Sequence, residues 1–106
     1  MDEDKTYPKK RLSIIIEAPF LNLLLEMLDG QDVPGYTVLP ALAGKGKSGA
    51  WRRDALSSDA GRMVQVLIVL DAERVPAVLR MVRGVLDRQM GIVTLSDVEV
   101  LRPELF

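Results

Sequence analysis

The sequence predicts an α+β domain: an antiparallel four-stranded sheet with two helices packed on one of its faces. Two apolar, β-branched runs, Arg11–Glu17 and Met63–Leu70, read as strands, and each is followed by a segment whose apolar residues recur at helical spacing. Shorter β-type stretches follow the helices, from Tyr36 to Ala43 and from Gly91 to Leu101. The order is therefore strand, helix, strand, long loop, strand, helix, strand. That βαββαβ order is the ferredoxin-like arrangement, which leaves the second sheet face open.

Each element has its own warrant. Met1–Lys9 is polar and contains Pro8, so it reads as a disordered tail, with the domain running from 10 to 106. Leu12-Ser-Ile-Ile-Ile16 gives the first, largely buried strand. Pro19 suits a first helical turn, and Leu21, Leu24, Leu25 and Leu28 form a stripe that Phe20, Leu23 and Met27 widen. Gly30 is placed to end this helix through a left-handed turn. Asp32-Val-Pro-Gly35 is a turn by composition, and Pro40 marks the next strand as an edge or bulge. From Gly44 to Arg62 periodicity disappears, which predicts a long mobile loop. After the second strong strand, Asp71 is a candidate cap for a helix striped by Val75, Val78, Leu79, Val82 and Leu86. The last strand stops at Arg102-Pro103. Because the strands are nearly apolar throughout, the bare sheet face is expected to be covered by other copies of the chain.

Composition narrows the chemistry. With 106 residues, 48% of them apolar, one core can form without metal or disulfide. The absence of Cys and His removes thiol nucleophiles, imidazole bases and the commonest zinc ligands. Fourteen basic and fifteen acidic residues leave a charge of −1, too balanced for a surface devoted to nucleic acid or anionic lipid. No apolar run approaches the roughly 18 to 20 residues of a spanning helix, so a cytoplasmic protein without membrane insertion is expected.

The stretch ALAGKGKSGAW, Ala41–Trp51, fits a loose Walker pattern by its letters. A true P-loop hands its phosphate to the N-terminus of a helix, and no helical apolar stripe follows Ser48. The chain is also too short for the parallel sheet and second magnesium carboxylate of an NTPase. A plain solvated turn is the simplest reading of GKGKSG. Yet Lys45, Lys47, Arg52, Arg53 and Arg62 face only Asp54 and Asp59 in this interval. A locally basic, glycine-rich loop in an acidic chain favours an anion.

Gly35-Tyr36-Thr37-Val38, followed by Gly44-Lys45-Gly46-Lys47 at the head of a long loop, resembles the PII signal-transduction superfamily. The resemblance follows element order over about 10–102. It implies a homotrimer with adenine nucleotides in clefts between subunits and a mobile T-loop that engages a target protein. By position, Gly35, Tyr36 and Thr37 would line the base and ribose, and Gly44, Gly46, Lys47 and Ser48 would meet phosphates. Gly91 matches the end of the family's second nucleotide-binding loop, and Arg102 an arginine that reaches phosphate. Trp51, Arg52 and Arg53 fall in the T-loop and would contact the target.

The departures shape what is expected. The second loop is cut to Asp87-Arg-Gln-Met-Gly91 and lacks the Lys of a triphosphate clamp, so ADP and AMP stand beside ATP as ligands. Ser48 replaces a Gln that helps bind magnesium and 2-oxoglutarate, and the loop lacks the Tyr that is modified in some nitrogen-regulatory members. The short second loop and GKGKSGAW are most similar to PII-like proteins linked to inorganic carbon, including carboxysome-associated ones, which implies bicarbonate as a second signal. Asp97 and Glu99 share a strand face but form no recognisable acid-base pair, and no catalytic or metal-binding residues are expected. Two classes result: a non-enzymatic nucleotide sensor, which is preferred, and a divalent-cation-tolerance-like metal handler or small nucleotide hydrolase on the same trimeric fold.

Overall fold

The computed structural model describes residues 5–46, 49–52, 62–87 and 91–106. A four-stranded antiparallel sheet is built from β1 (Tyr7–Glu17), β2 (Thr37–Ala41), β5 (Met63–Leu70) and β6 (Ile92–Val100), in the spatial order β2-β5-β1-β6. Helices α1 (Leu21–Gly30) and α2 (Val75–Leu86) complete the predicted βαββαβ unit. A separate two-stranded hairpin, β3 (Ala43–Gly46) with β4 (Gly49–Arg52), stands between β2 and β5 in the chain.

The core lies between the helices and one sheet face. Leu12, Ile14 and Ile16 of β1 and Val64, Val66, Ile68 and Leu70 of β5 point there, with Leu24 and Leu28 of α1 and Val75, Val78, Val82 and Val85 of α2. Strict alternation along β5 leaves Met63, Gln65, Leu67 and Val69 on the other face. That face is mixed rather than uniformly apolar: β1 adds Arg11, Ser13 and Ile15, and Gln65 Nε2 donates to Ser13 Oγ at 2.8 Å. Leu23, expected to widen the stripe of α1, is instead 44% exposed, because it lies about 100° round the helix from Leu24.

Several boundaries moved for physical reasons. β1 starts at Tyr7, so residues 7–9, assigned to the tail, are strand. They pair with β6, whose length gives them a partner, from Tyr7↔Val100 to Lys9↔Val98. Pro8 is tolerated because it lies beyond Leu70, the last β5 residue in register, so β1 has a neighbour on one side only there. Side chains secure this end: Lys5 Nζ sits 5.1 Å from the Tyr7 ring centroid, and Thr6 Oγ1 donates to Glu99. Gly30 is helical, and the left-handed residue after α1 is Asp32, at φ 55°. Arg74 closes that turn by donating to the carbonyls of Gln31 and Asp32, the latter at 2.9 Å. Asp71 makes no side-chain cap, because its carboxylate pairs with Lys9 Nζ.

Candidate functional site

The turn held by Arg74 delivers Gly35 and Tyr36 to the start of β2, where Thr37 opposes Leu67 of β5. These residues line a cleft of about 430 Å³ together with Arg11, Leu67, Val69, Leu105 and Phe106. Its floor is the open sheet face. One wall is the chain's last turn, Pro103–Leu105, followed by Phe106, and Lys9 Nζ donates to the Phe106 carbonyl at 3.3 Å. Leu67, Val69, Leu105 and Phe106 supply an apolar surface against which a flat base can rest.

Tyr36 is fixed at its tip. Its hydroxyl donates to Asp29 Oδ1 at 3.1 Å. That bond, with smaller contributions from burial and from the Asp29 charge, raises the phenol's pKa above the ordinary tyrosine value. The hydrogen bond to Asp29 therefore orients the ring at the cleft edge.

The predicted phosphate residues lie further along. Gly44 and Gly46 belong to β3, with Gly44 opposite Trp51 and Gly46 opposite Gly49. Gly49 has φ 104°, a backbone region that disfavours side chains. A Cβ at Gly35 or Gly46 would meet nothing within 4 Å, so open space lies beside both backbones. Thr37 and Gly44 are seven residues apart, roughly 20 Å of extended chain. A ligand touching both must lie lengthwise along β2. Lys47, Ser48 and Arg53 fall outside the described residues, while Trp51 and Arg52 are placed as backbone of β4. The interval read as one long loop from 44 to 62 thus begins as a hairpin, whose glycine-rich strands carry too little apolar alternation to be seen in sequence.

The remaining expected site residues do not line this cleft. Gly91 precedes β6, and Arg102 opens the final turn with its Nε 3.9 Å from Glu104. Arg11, Leu105 and Phe106 line the cleft but were not among the expected site residues. Arg11 looked like the polar end of a strand, and the last four residues have no periodicity to read. Alternation from Ile15 back through Ser13 was the available signal for Arg11.

The sequence profile of the nitrogen regulatory protein P-II family matches residues 9–105. A UPF0166 protein of Aquifex aeolicus (strain VF5) is 31% identical over 83 residues, 78% of this chain and 77% of that protein. The fold is similar to CPII, a nitrogen regulatory PII-like protein from Thiomonas intermedia K12, solved bound to ADP, AMP and bicarbonate: TM-score 0.86, 28% identity, 96% of each chain. A second structure of CPII, bound to ADP and bicarbonate, gives TM-score 0.83 and 31% identity over 96% of this chain and 97% of that one.

Proposed function

Because the chain belongs to the nitrogen regulatory protein P-II family, we propose that it is a non-enzymatic signalling protein that binds adenine nucleotide along β2, with ADP and AMP preferred and ATP accepted. The observation that carries this reading is the cleft itself, which gathers Gly35, Tyr36 and Thr37 over an apolar floor at the start of β2, the strand that leads on to glycine-rich β3. One side of such a cleft is solvent in a single copy, so a homotrimer completes it from a neighbouring subunit. Lys47 and Ser48, with the amides of Gly44 and Gly46, hold the phosphates; Gly91 and Arg102 approach from the second loop and the last turn. Bicarbonate is the second signal, supported by the bicarbonate-bound structures of CPII.

The segment 44–62 carries the output. Trp51, Arg52 and Arg53 contact a target protein in the cytoplasm, a transporter or enzyme of inorganic-carbon handling; a carboxysome setting rests on the loop resemblance alone. No helix is long and apolar enough to cross a membrane among the described residues.

Calorimetric titration with ADP, AMP, ATP and cyclic AMP, with and without bicarbonate, tests the reading. Binding of ADP or AMP tighter than millimolar is expected, and its absence for every adenine nucleotide would sink the proposal. Lys47→Ala should weaken ADP about tenfold or more, the order of one charge-assisted phosphate contact. Turnover of the nucleotide during the same titrations would favour the hydrolase reading instead.

A further inference from the structure

Three basic residues in a row, Lys9–Arg11, lie in the first half of β1, and two of them have acidic partners. Lys9 pairs with Asp71 and Lys10 with Asp97. Arg11 is different. Its register partners are Val69 on β5 and Ser96 on β6, so neither neighbouring strand sets a carboxylate opposite it. The adjacent positions on its own face are Lys9 and Ser13, a second cation and a hydroxyl that already accepts from Gln65. Arg11 is exposed, lines the cleft, and has no ion-pair partner among the described residues.

Its place relative to the nucleotide reading is informative. Thr37 opposes Leu67, whereas Arg11 opposes Val69, two residues further from Ala41 and one strand beyond β5. The lateral offset from β2 to β1 is two strand spacings, about 10 Å. A nucleotide laid from Thr37 toward Gly44 therefore runs away from Arg11. The guanidinium stays at the base end of the cleft, beside Val69, where the phosphates of that ligand do not reach it.

We infer that Arg11, with the Ser96 hydroxyl beside it, holds a small planar oxyanion, bicarbonate or a simple carboxylate, next to the nucleotide rather than on it. The planar fork of a guanidinium matches two coplanar oxygens, a geometry that a point charge such as lysine does not reproduce. Leu67, Val69, Leu105 and Phe106 reduce the water around the ion and so strengthen its attraction to the fork. The inference rests on the nucleotide reading above, because it assigns the ligand that shares the same cleft.

The test uses the full chain with saturating ADP. Bicarbonate and acetate are titrated separately by calorimetry at constant ionic strength, with chloride as the control anion, against wild type, Arg11→Lys and Arg11→Ala. Wild type is expected to bind at least one oxyanion, with Arg11→Ala weaker by about tenfold or more and Arg11→Lys falling between. ADP affinity is measured without oxyanion in the same variants, and the loss of oxyanion binding is expected to exceed any loss of ADP binding by several-fold, about fivefold or more. Circular dichroism melts confirm that these surface variants fold. If wild type binds ADP but neither oxyanion, or if Arg11→Ala leaves oxyanion binding unchanged, the inference is wrong while the nucleotide reading stands. An equal loss of ADP affinity without oxyanion would reassign Arg11 to the nucleotide and also overturn it. Failure of wild type to bind any adenine nucleotide removes the nucleotide reading itself.

Discussion

Tyr36 joins the end of α1 to the start of the cleft through Asp29, and its chemistry is directly testable. Its phenol binds its proton more tightly in the folded chain than in the unfolded one, because Asp29 accepts the hydrogen bond and opposes a phenolate. The associated stability is fully present below the ordinary tyrosine value of ~10 and is lost as pH rises through the higher folded value. In a Tyr7→Phe background, Asp29→Asn should shift the ultraviolet phenolate transition to lower pH; an unmoved transition would detach Asp29 from the tyrosine. The sequence singled out Tyr36 through the Gly-Tyr-Thr-Val motif, but it held no clue to Asp29. That partner lies across a turn whose course depends on Arg74, far along the chain. Arg11 escaped notice for the opposite reason: strand alternation set its face, but only folding brought the final turn over it.

Among the elements, the strong periodicities were legible and the weak ones were not. The leucine stripe of α1 and the valine stripe of α2 describe an entire helix face each, so their burial could be read before any coordinates. The β3–β4 hairpin could not, since Ala43-Gly-Lys-Gly46 is nearly bare of the side chains that mark a strand. Its shape depends on backbone freedom at Gly49, where φ is 104° and no neighbouring atom crowds the missing Cβ. Gly49→Ala should therefore destabilise the hairpin by about 1–2 kcal/mol through backbone strain alone. Faster hydrogen exchange at residues 43–46 and 49–52, with the main sheet unaffected, is the expected signature. Uniform protection in both proteins would show that the turn tolerates a side chain.

At the scale of the whole molecule, the chain is longer than a compact domain of its size. Its radius of gyration is 15.3 Å and its extents are 53 × 27 × 21 Å, against about 13 Å for a compact chain of this length. An isolated two-stranded hairpin is marginal in water, so this shape favours a chain that leans on copies of itself. Leu39 and Ile92, 39% and 59% exposed, lie on the open sheet face that such copies would cover. Light scattering should give the mass of three chains for wild type and of one for Leu39→Glu combined with Ile92→Glu, with circular dichroism unchanged. A wild-type mass of one chain would end the trimer proposal. The fold class was legible at this scale because element order constrains topology, whereas association depends on surfaces that monomer periodicity does not describe.

The strand order also dictates when the molecule can form. β1 is flanked by β5 along Lys10–Glu17 and by β6 along Tyr7–Ile15, so the earliest strand to leave the ribosome has both neighbours among the later ones. Until Ile92–Val100 emerges, its apolar centre has an open edge, and closing that edge joins residues nearly a full chain apart. Closure of the sheet therefore waits for β6, and a chain that lacks it presents the β1 edge to other strands rather than forming a smaller working protein.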